Sequence, residues 1–418
     1  MSGQVALAHV NAADLLDVVG IGADGWRGLP EDARAAVRDA EVLLGSTRQL
    51  ALLPAGVPGR RVAWPSPLLP ALQPLLEEHA GRRVCVLASG DPMFHGIGAT
   101  LARVVGAERM RVHAHPSSVS LACARLGWPA QDVVVVNLLS QQADVLAAHV
   151  ASGRRLLALV PSSTAVTDVC EVLRANGFGP STVVVLADLA GDAEQVWAGS
   201  ADAPPPSTSD LAVVAIDCVA APGTRVLATV PGLPDDAFDN DGQLTKRDLR
   251  ASAIARLAPH PGELLWDVGA GAGSVGIEWS RHHPSCRAVA VEQDPARAER
   301  LAGNARRLGV PGLSIVRGEA PGSLAGLPRP DAVFVGGGVS VPGVLDVGWR
   351  ALRPGGRIVV HAVTRESEAV VSRWCATAGG ELTRLQVEHV APLGSFTVWR
   401  PALAVVQWYA VKPEDGRS

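Results

Sequence analysis

The stretch Asp267-Val268-Gly269-Ala270-Gly271-Ala272-Gly273 constrains this chain more than any other feature. It closes an apolar run, Leu264-Leu265-Trp266, and opens a helical pattern from Val275 to Arg281. A second apolar run, Ala288 to Val291, ends at Glu292, nineteen positions beyond Gly273. Strand, glycine-rich turn, helix, then a strand tipped by a carboxylate is the order of a nucleotide-type site. The glycines let the backbone approach a ligand closely, and the acidic tip accepts hydrogen bonds from ribose hydroxyls. Gly271, Gly273 and Gly276 also satisfy the dinucleotide spacing G-x-G-x-x-G. Asp267, however, puts a negative charge just ahead of the loop that would cradle a pyrophosphate. It suits a cationic ligand carrying an amine and a ribose.

S-adenosylmethionine is such a ligand. D-x-G-x-G-x-G followed by a strand ending in Glu resembles the class I, Rossmann-like methyltransferases, which implies an α/β domain around this loop.

At 418 residues the chain is longer than one compact domain usually is. Hydrophobic residues make up 48% and charged residues 19%, a balance that fills large cores and excludes disorder. A net charge of −4, with no basic run and no interleaved aromatics, points to neither a nucleic acid nor a membrane partner. Cys85, Cys123, Cys170, Cys218, Cys286 and Cys375 form no C-x-x-C pair and stand at no metal-ligand spacing with histidine. They read as buried thiols of a reducing compartment, and no metal is expected. Met1 to Asn11 lacks the order of a secretory leader, and no apolar run is long enough for a membrane span. A cytoplasmic location is expected.

From Leu16 to Ile216, short apolar runs alternate with amphipathic helical patterns, which argues for an α/β architecture. The runs include Asp17 to Ile21, Val84 to Leu87, Val133 to Val136, Leu156 to Val160, Val183 to Leu186 and Leu211 to Ile216. Pro204 to Ser209 reads as a turn before the last of them. The region around 223–240 is rich in Pro, Gly and Asp and reads as a linker between domains 1–222 and 241–418. Beyond it the alternation restarts with a helix at Lys246 to Ala258. Strands are then expected at Leu264 to Val268, Ala288 to Val291, Ser314 to Arg317, Ala332 to Val335, Arg357 to His361, Glu381 to Val390 and Ala402 to Val411.

The first half has its own glycine loops. Gly20-Ile21-Gly22 follows the first strand, and Gly90-Asp91-Pro92 follows the strand Val84 to Leu87. Open α/β sheets place ligands at such carboxyl ends. Pro116-Ser117-Ser118 follows a short strand, Arg111 to Ala114, and its serines either cap the next helix or bond a ligand. V-G-I-G, then L-A-S-G-D-P-M-F-H-G-I-G, then H-P-S-S-V-S-L-A-C-A-R-L-G-W-P resemble the tetrapyrrole (uroporphyrinogen/precorrin) methylase superfamily. That resemblance implies a class III methyltransferase fold of two α/β subdomains with S-adenosylmethionine in the cleft between them. The form G-D-P-x-F-H-G-I-G resembles the branch that methylates precorrin-7 at carbon 5. Leu186 to Glu194 resembles that superfamily's E-N-L-G-x-P-D-E stretch, with Ala187 and Asp188 in place of Glu-Asn.

Leu244 to Arg250 and Gly318-Glu319-Ala320-Pro321 resemble the class I enzymes that methylate precorrin-6B at carbon 15 and decarboxylate the acetate on carbon 12. The two halves in this order resemble the fused, decarboxylating precorrin-6Y C5,15-methyltransferase family of cobalamin biosynthesis. The resemblance implies S-adenosylmethionine as cofactor, a precorrin tetrapyrrole as substrate and a homo-oligomer. In the first half, Gly20, Gly22, Gly90, Asp91, Pro92, Ser117 and Ser118 are expected around the donor. Asp91 is alternatively a turn residue, and His95 either faces substrate or is structural. In the second half, Gly269, Gly271 and Gly273 approach the donor, Asp267 takes its amino end and Glu292 its ribose. Gly318, Glu319 and Ala320 border the adenine. Thr245 is a cofactor contact or a helix N-cap. Lys246, Arg247 and Arg250 bind substrate carboxylates or form a solvated helix face. Gly336, Gly337 and Gly338 admit the macrocycle or make a flexible turn. No catalytic acid or base is assigned. A dehydrogenase would leave Asp267 and the G-D-P loop unexplained, and an RNA or protein methyltransferase the whole first half. A non-catalytic corrinoid carrier or sensor would have no need of both glycine loops.

Overall fold

The computed structural model describes residues 15–206 and 209–414. The leader reading at Met1 to Asn11 and part of the turn reading, at Ser207-Thr208, lie outside the described residues. The described residues are α/β and divide into two units, 15–143 with 151–224 and 144–150 with 225–414.

The first unit contains two five-stranded sheets. One is wholly parallel: β1 (Leu16–Ile21), β2 (Val42–Gly45), β3 (Arg60–Ala63), β4 (Val84–Ser89) and β5 (Met110–His113), in the order β3-β2-β4-β1-β5. Its central strands read as continuous apolar runs because both faces are covered. Val19, Leu43 and Leu87 pack against the helix Glu31–Asp39, while Val18, Leu44 and Val86 pack against Leu72 and Leu101 on the other face. The second sheet is mixed. It comprises β6 (Val133–Asn137), β7 (Arg155–Leu159), β8 (Thr182–Ala187), β9 (Gln195–Ser200) and β10 (Ala212–Asp217), in the order β6-β7-β10-β8-β9. Only β6 and β7 run parallel; the other pairings are antiparallel. The sequence reading omits β2, β3 and β9: β3 and β9 are edge strands with little burial and therefore weak apolar patterning, whereas β2 is a fully buried interior strand of only four residues.

The second unit is built on one seven-stranded sheet. It comprises β11 (Leu264–Val268), β12 (Arg287–Glu292), β13 (Ser314–Arg317), β14 (Ala332–Val335), β15 (Arg357–Ala362), β16 (Glu381–Leu385) and, after a hairpin, β19 (Val405–Val411). The order is β13-β12-β11-β14-β15-β19-β16, with the first five strands parallel and β19 antiparallel to both neighbours. The single strand expected at Glu381 to Val390 is two strands. β16 ends at Leu385, and β17 (Glu388–Leu393) pairs with β18 (Phe396–Pro401) as a separate hairpin. Val390, Phe396 and Trp399 imitate a core pattern in sequence, yet they stand 58%, 75% and 68% exposed. Among the described residues no helix is long and apolar enough to cross a membrane.

The segment read as a linker is irregular but not free. From Arg225 it belongs to the second unit, and Leu233 and Phe238 are buried in that unit's core. Its acidic cluster is consumed by ion pairs: Asp235 with Arg250, Asp236 with Arg225, Asp239 with Arg300 and Asp241 with Arg297. Asn304 also bonds both backbone groups of Asp239 (2.9 and 2.8 Å) and the carbonyl of Ala272 in the glycine loop (3.0 Å). A second-unit fragment beginning at Arg225 should therefore melt well above one beginning at Asp241. The shorter fragment lacks Leu233 and Phe238, whose burial contributes about 2–3 kcal/mol each, and deprives the Arg250–Glu278 pair of its bonds to Gly232, Leu233 and Asp235. Thermal unfolding of the two fragments checks this; equal midpoints would show that 225–240 is a tether after all.

Candidate active sites

In the first unit, the loops after β1, β4 and β5 leave the carboxyl ends of three adjacent parallel strands. They meet in a cleft of about 260 Å³ whose opposite wall comes from the second sheet, including Pro161, Leu186 and Ala212. Gly22, Gly90, Asp91, His95, Ser117 and Ser118 all line it. Gly20 and Pro92 do not. A Cβ on Gly20 would stand 2.2 Å from the Gly90 carbonyl oxygen and 2.9 Å from the His115 Cβ, so Gly20 lets two loops and a strand close up behind the cleft. Pro92 is buried, and its carbonyl accepts from the Gly98 N–H at 2.9 Å.

The capping reading holds for Ser117 and the turn reading for Asp91, and both residues also line the cleft; Ser118 is the first residue of the helix. Ser117 accepts from the Ser120 N–H (3.1 Å) as the N-cap of the helix Ser118–Leu126, and it still faces the cleft. Asp91 accepts from the Met93 N–H (2.8 Å) and stays at the surface of its turn. His95 takes a left-handed backbone (φ 56°), stacks edge-on against Phe94 and meets the Asn137 amide at 3.2 Å. Sequence reasoning missed the pair His115–Asp24 (3.2 Å), buried beneath Gly22. It also missed Arg48 and the second sheet's contribution. The signal for Arg48 is present: Ser46 and Gln49 have capping-box spacing directly after β2.

In the second unit, the glycine loop bends over the end of β11 with Gly269, Gly271 and Gly273 all left-handed (φ 70°, 56° and 80°). A Cβ on Gly269 would meet the Gly337 backbone at 2.8 Å, so Gly336-Gly337-Gly338 and the first glycine loop are packed backbone to backbone. Gly336 donates to the Val268 carbonyl (3.0 Å). Glu292, at the end of β12, accepts from the Gly271 N–H (2.8 Å) and from the Asp294 N–H (2.9 Å). Its main-chain carbonyl accepts from Gly318 (3.0 Å), which brings the loop with Gly318, the exposed Glu319 and the half-buried Ala320 beside it.

Three expectations need correction or division. Arg250 is fully buried and binds no substrate. Its Nε donates to Glu278 Oε1 (2.6 Å), its other nitrogens to the carbonyls of Leu233 and Thr245, and it lies 4.8 Å over the Phe238 ring. Arg250, Ala253, Ile254 and Leu257 have the i, i+3, i+4, i+7 spacing of a buried face, so the pattern itself carried this information. Thr245 is not the N-cap: Lys246 occupies that position without a side-chain bond, and Thr245 supplies only its carbonyl to Arg250. Lys246 and Arg247 remain exposed at the start of the helix Arg247–Leu257. Among the described residues neither has an ion-pair partner, and both line a cleft of about 750 Å³ with Asp248 and His389.

Asp267 lies under the glycine loop, 1% exposed. Its Oδ2 accepts from the Gly276 N–H (2.8 Å), and among the described residues its buried Oδ1 has no partner. Burial pushes its carboxyl up to about 7; the Gly276 N–H opposes the shift and the Glu292 charge adds to it. In the unfolded chain this group ionises near pH 4. Between those values the folded unit holds a proton that the unfolded chain has lost, so this group's contribution to stability falls as pH rises from about 4 to about 7. Above that range the full penalty of a buried charge applies. Asp267→Asn should therefore raise the melting temperature more at pH 8 than at pH 5. A difference between variant and wild type that does not change with pH would mean Asp267 is already ionised at the lower value.

With this geometry in view, the comparisons with known proteins agree in both units. Residues 16–204 match the family model "Tetrapyrrole (Corrin/Porphyrin) Methylases". Residues 236–412 match "Precorrin methyltransferase domain". A decarboxylating precorrin-6Y C(5,15)-methyltransferase of a Sinorhizobium species is 42% identical over 94% of this chain and 95% of that protein. A Mycobacterium tuberculosis protein of the same name is also 42% identical, over 95% of this chain and 100% of its own length. A decarboxylating cobalt-precorrin-6B C(15)-methyltransferase of Salmonella typhimurium is 35% identical over 38% of this chain and 83% of that protein. Identity sustained along nearly the whole length of the first two relatives establishes that the chain belongs to the decarboxylating precorrin-6Y C(5,15)-methyltransferase family.

Proposed function

We propose that this chain methylates a precorrin-6B-type macrocycle at carbons 5 and 15 and removes carbon dioxide from the acetate on carbon 12, giving precorrin-8 in cobalamin biosynthesis. The first unit serves carbon 5, and the second carbon 15 and the decarboxylation. The observation that carries this reading is the presence of two strand-end glycine sites of unlike architecture in one chain.

The residues fit S-adenosylmethionine as donor in both units. Bound there, it supplies an activated methyl on a sulfonium, so the protein's work is mainly alignment. In the second unit, the crowded glycine loop leaves backbone exposed where a side chain would intrude. Glu292 already holds two N–H groups and keeps lone pairs for ribose hydroxyls. Asp267 places a buried acceptor with one unpartnered oxygen beneath a cationic ligand. Gly318, Glu319 and Ala320 flank the adenine side. In the first unit, Gly22, Gly90, Asp91, Ser117 and Ser118 surround the donor. Lys246 and Arg247, unpaired at a helix N-terminus, suit the carboxylates of the macrocycle.

In each transfer the macrocycle carbon would provide the electron pair of the new carbon–carbon bond, the donor's sulfur would keep the pair of the broken carbon–sulfur bond, and a proton would leave the macrocycle. In the decarboxylation the released electron pair is delocalised into the macrocycle before a proton replaces carbon dioxide. The exposed hairpin β17–β18 supports the homo-oligomer reading, since its strands pair only with each other and carry Phe396 and Trp399 in solvent. A methyltransferase acting on RNA or protein would give the first unit's cleft no role.

Incubation of the chain with a precorrin-6B pool and S-adenosylmethionine should yield a product with two added methyl groups and one lost carbon dioxide by mass analysis. Absence of both methylations from folded protein would overturn the reading. Gly271→Val should abolish carbon-15 methylation and spare carbon-5 methylation. A β-branched side chain is strained at φ 56°, and its Cβ would stand 3.0 Å from the Gln243 carbonyl oxygen. Loss of both activities in a variant that still folds would show that the two sites are not independent.

A further inference from the structure

The first unit's cleft holds one cation that the donor contacts described above do not use. Arg48 sits on the short helix Thr47–Ala51, directly after β2, and lines the same cleft as Gly90 and Ser117. Its position is built. Ser46 and Gln49 close a capping box, with Gln49 N–H to Ser46 Oγ at 3.2 Å and Ser46 N–H to Gln49 Oε1 at 2.7 Å. The Gln49 amide then reaches Ser89 Oγ (3.0 Å) at the end of β4, and the same hydroxyl receives Arg48 Nη2 (2.8 Å). That bond fixes the direction of the guanidinium while leaving most of its donors free.

Among the described residues no carboxylate pairs directly with this charge; Asp188 acts on it only through its field. The two acids that share the cleft are engaged elsewhere. Asp91 accepts from the Met93 N–H and Asp210 from the Ser163 N–H, each at 2.8 Å. The residue as a whole is exposed, but desolvation of the guanidinium lowers its pKa, with Asp188 acting in the opposite sense. The rim beside it is apolar: Phe94 and Leu139 line the cleft and are 39% and 49% exposed. An oriented, unpaired guanidinium next to exposed apolar surface matches a flat ligand that carries carboxylates at its edge.

We infer that Arg48 is the carboxylate receptor of the first unit and binds an acidic side chain of the macrocycle. The inference rests on the proposed function. The donor's own amino-acid end has a carboxylate as well, so the test separates the two sources. Arg48→Gln, Arg48→Lys and wild type are compared as full-length protein. Binding of uroporphyrin, an octacarboxylate that needs no turnover, is followed by fluorescence, and donor binding by calorimetry. Arg48→Gln should weaken uroporphyrin binding, and raise KM for the macrocycle in carbon-5 methylation, on the order of ten-fold or more. It should leave donor affinity and carbon-15 methylation unchanged. Arg48→Lys should recover part of the loss, because charge is kept and the fork is not.

A uroporphyrin isotherm identical to that of wild type overturns the inference. So does a loss of donor affinity with macrocycle binding intact, which would assign Arg48 to the donor. Donor titration that keeps the wild-type affinity and stoichiometry shows that the variant's first unit is folded. If wild type makes no carbon-5 product, the proposed function fails, while the binding comparison still decides the role of Arg48.

Discussion

Close packing of backbone against backbone at the carboxyl ends of parallel strands underlies both sites. In the first unit Gly20 lies against the Gly90 carbonyl, and in the second Gly269 lies against Gly337. At either place a Cβ would fall inside contact distance, so these glycines serve neighbouring loops before they serve any ligand. Once the loops are drawn together, their N–H groups need acceptors. The second unit supplies one acid at each of two strand ends: Asp267 on β11 takes Gly276, and Glu292 on β12 takes Gly271 and Asp294. The same acids that satisfy the loop's N–H groups therefore border the site.

The strap 225–240 shows how far the second unit depends on groups remote in sequence. Arg250 and Glu278 form a pair that is almost fully removed from solvent. Such a pair persists only if its remaining hydrogen-bonding capacity is met. The strap meets it: Gly232 and Leu233 donate their N–H groups to Glu278 at 2.7 and 2.8 Å, and the Leu233 carbonyl accepts from Arg250. Phe238 then covers the guanidinium. An irregular segment is held as firmly as a helix because its backbone bonds are supplied by buried side chains.

Strand-end sites were legible in the sequence because their chemistry is local. Asp267 to Gly273, Glu292, and the loop at Gly90 to Pro92 each announce themselves within a few residues. The five parallel strands of the second unit's sheet were legible for the same reason, as apolar runs between helices. What was not legible depends on partners. Nothing local separates a Pro/Gly/Asp-rich tether from a Pro/Gly/Asp-rich strap; the difference lies in Arg297, Arg300 and Asn304, some 60 residues away. Arg250 reads as a surface cation until Glu278 is placed beside it. β17 and β18 have core-like apolar content, but no covering layer is available to them, so periodicity alone assigned Val390 to the sheet.

Charge divides the two sites in a way that matters for a reaction joining a cationic donor to a polyanionic acceptor. Buried carboxylates mark the second unit's loop, and its unpaired cations, Lys246 and Arg247, stand apart from them at a helix start. In the first cleft the acids Asp91 and Asp210 are tied to backbone N–H groups, and among the described residues Arg48 is left without an ion-pair partner. An acid paired with a resident arginine would serve neither ligand, because each charge would already be neutralised. By committing its acids to the backbone instead, the cleft satisfies its own loops and keeps a guanidinium free for an incoming carboxylate. Tight loop packing and ligand charge selection are thus met by the same few hydrogen bonds. This is why the residues that most constrain the fold are also those that border the sites.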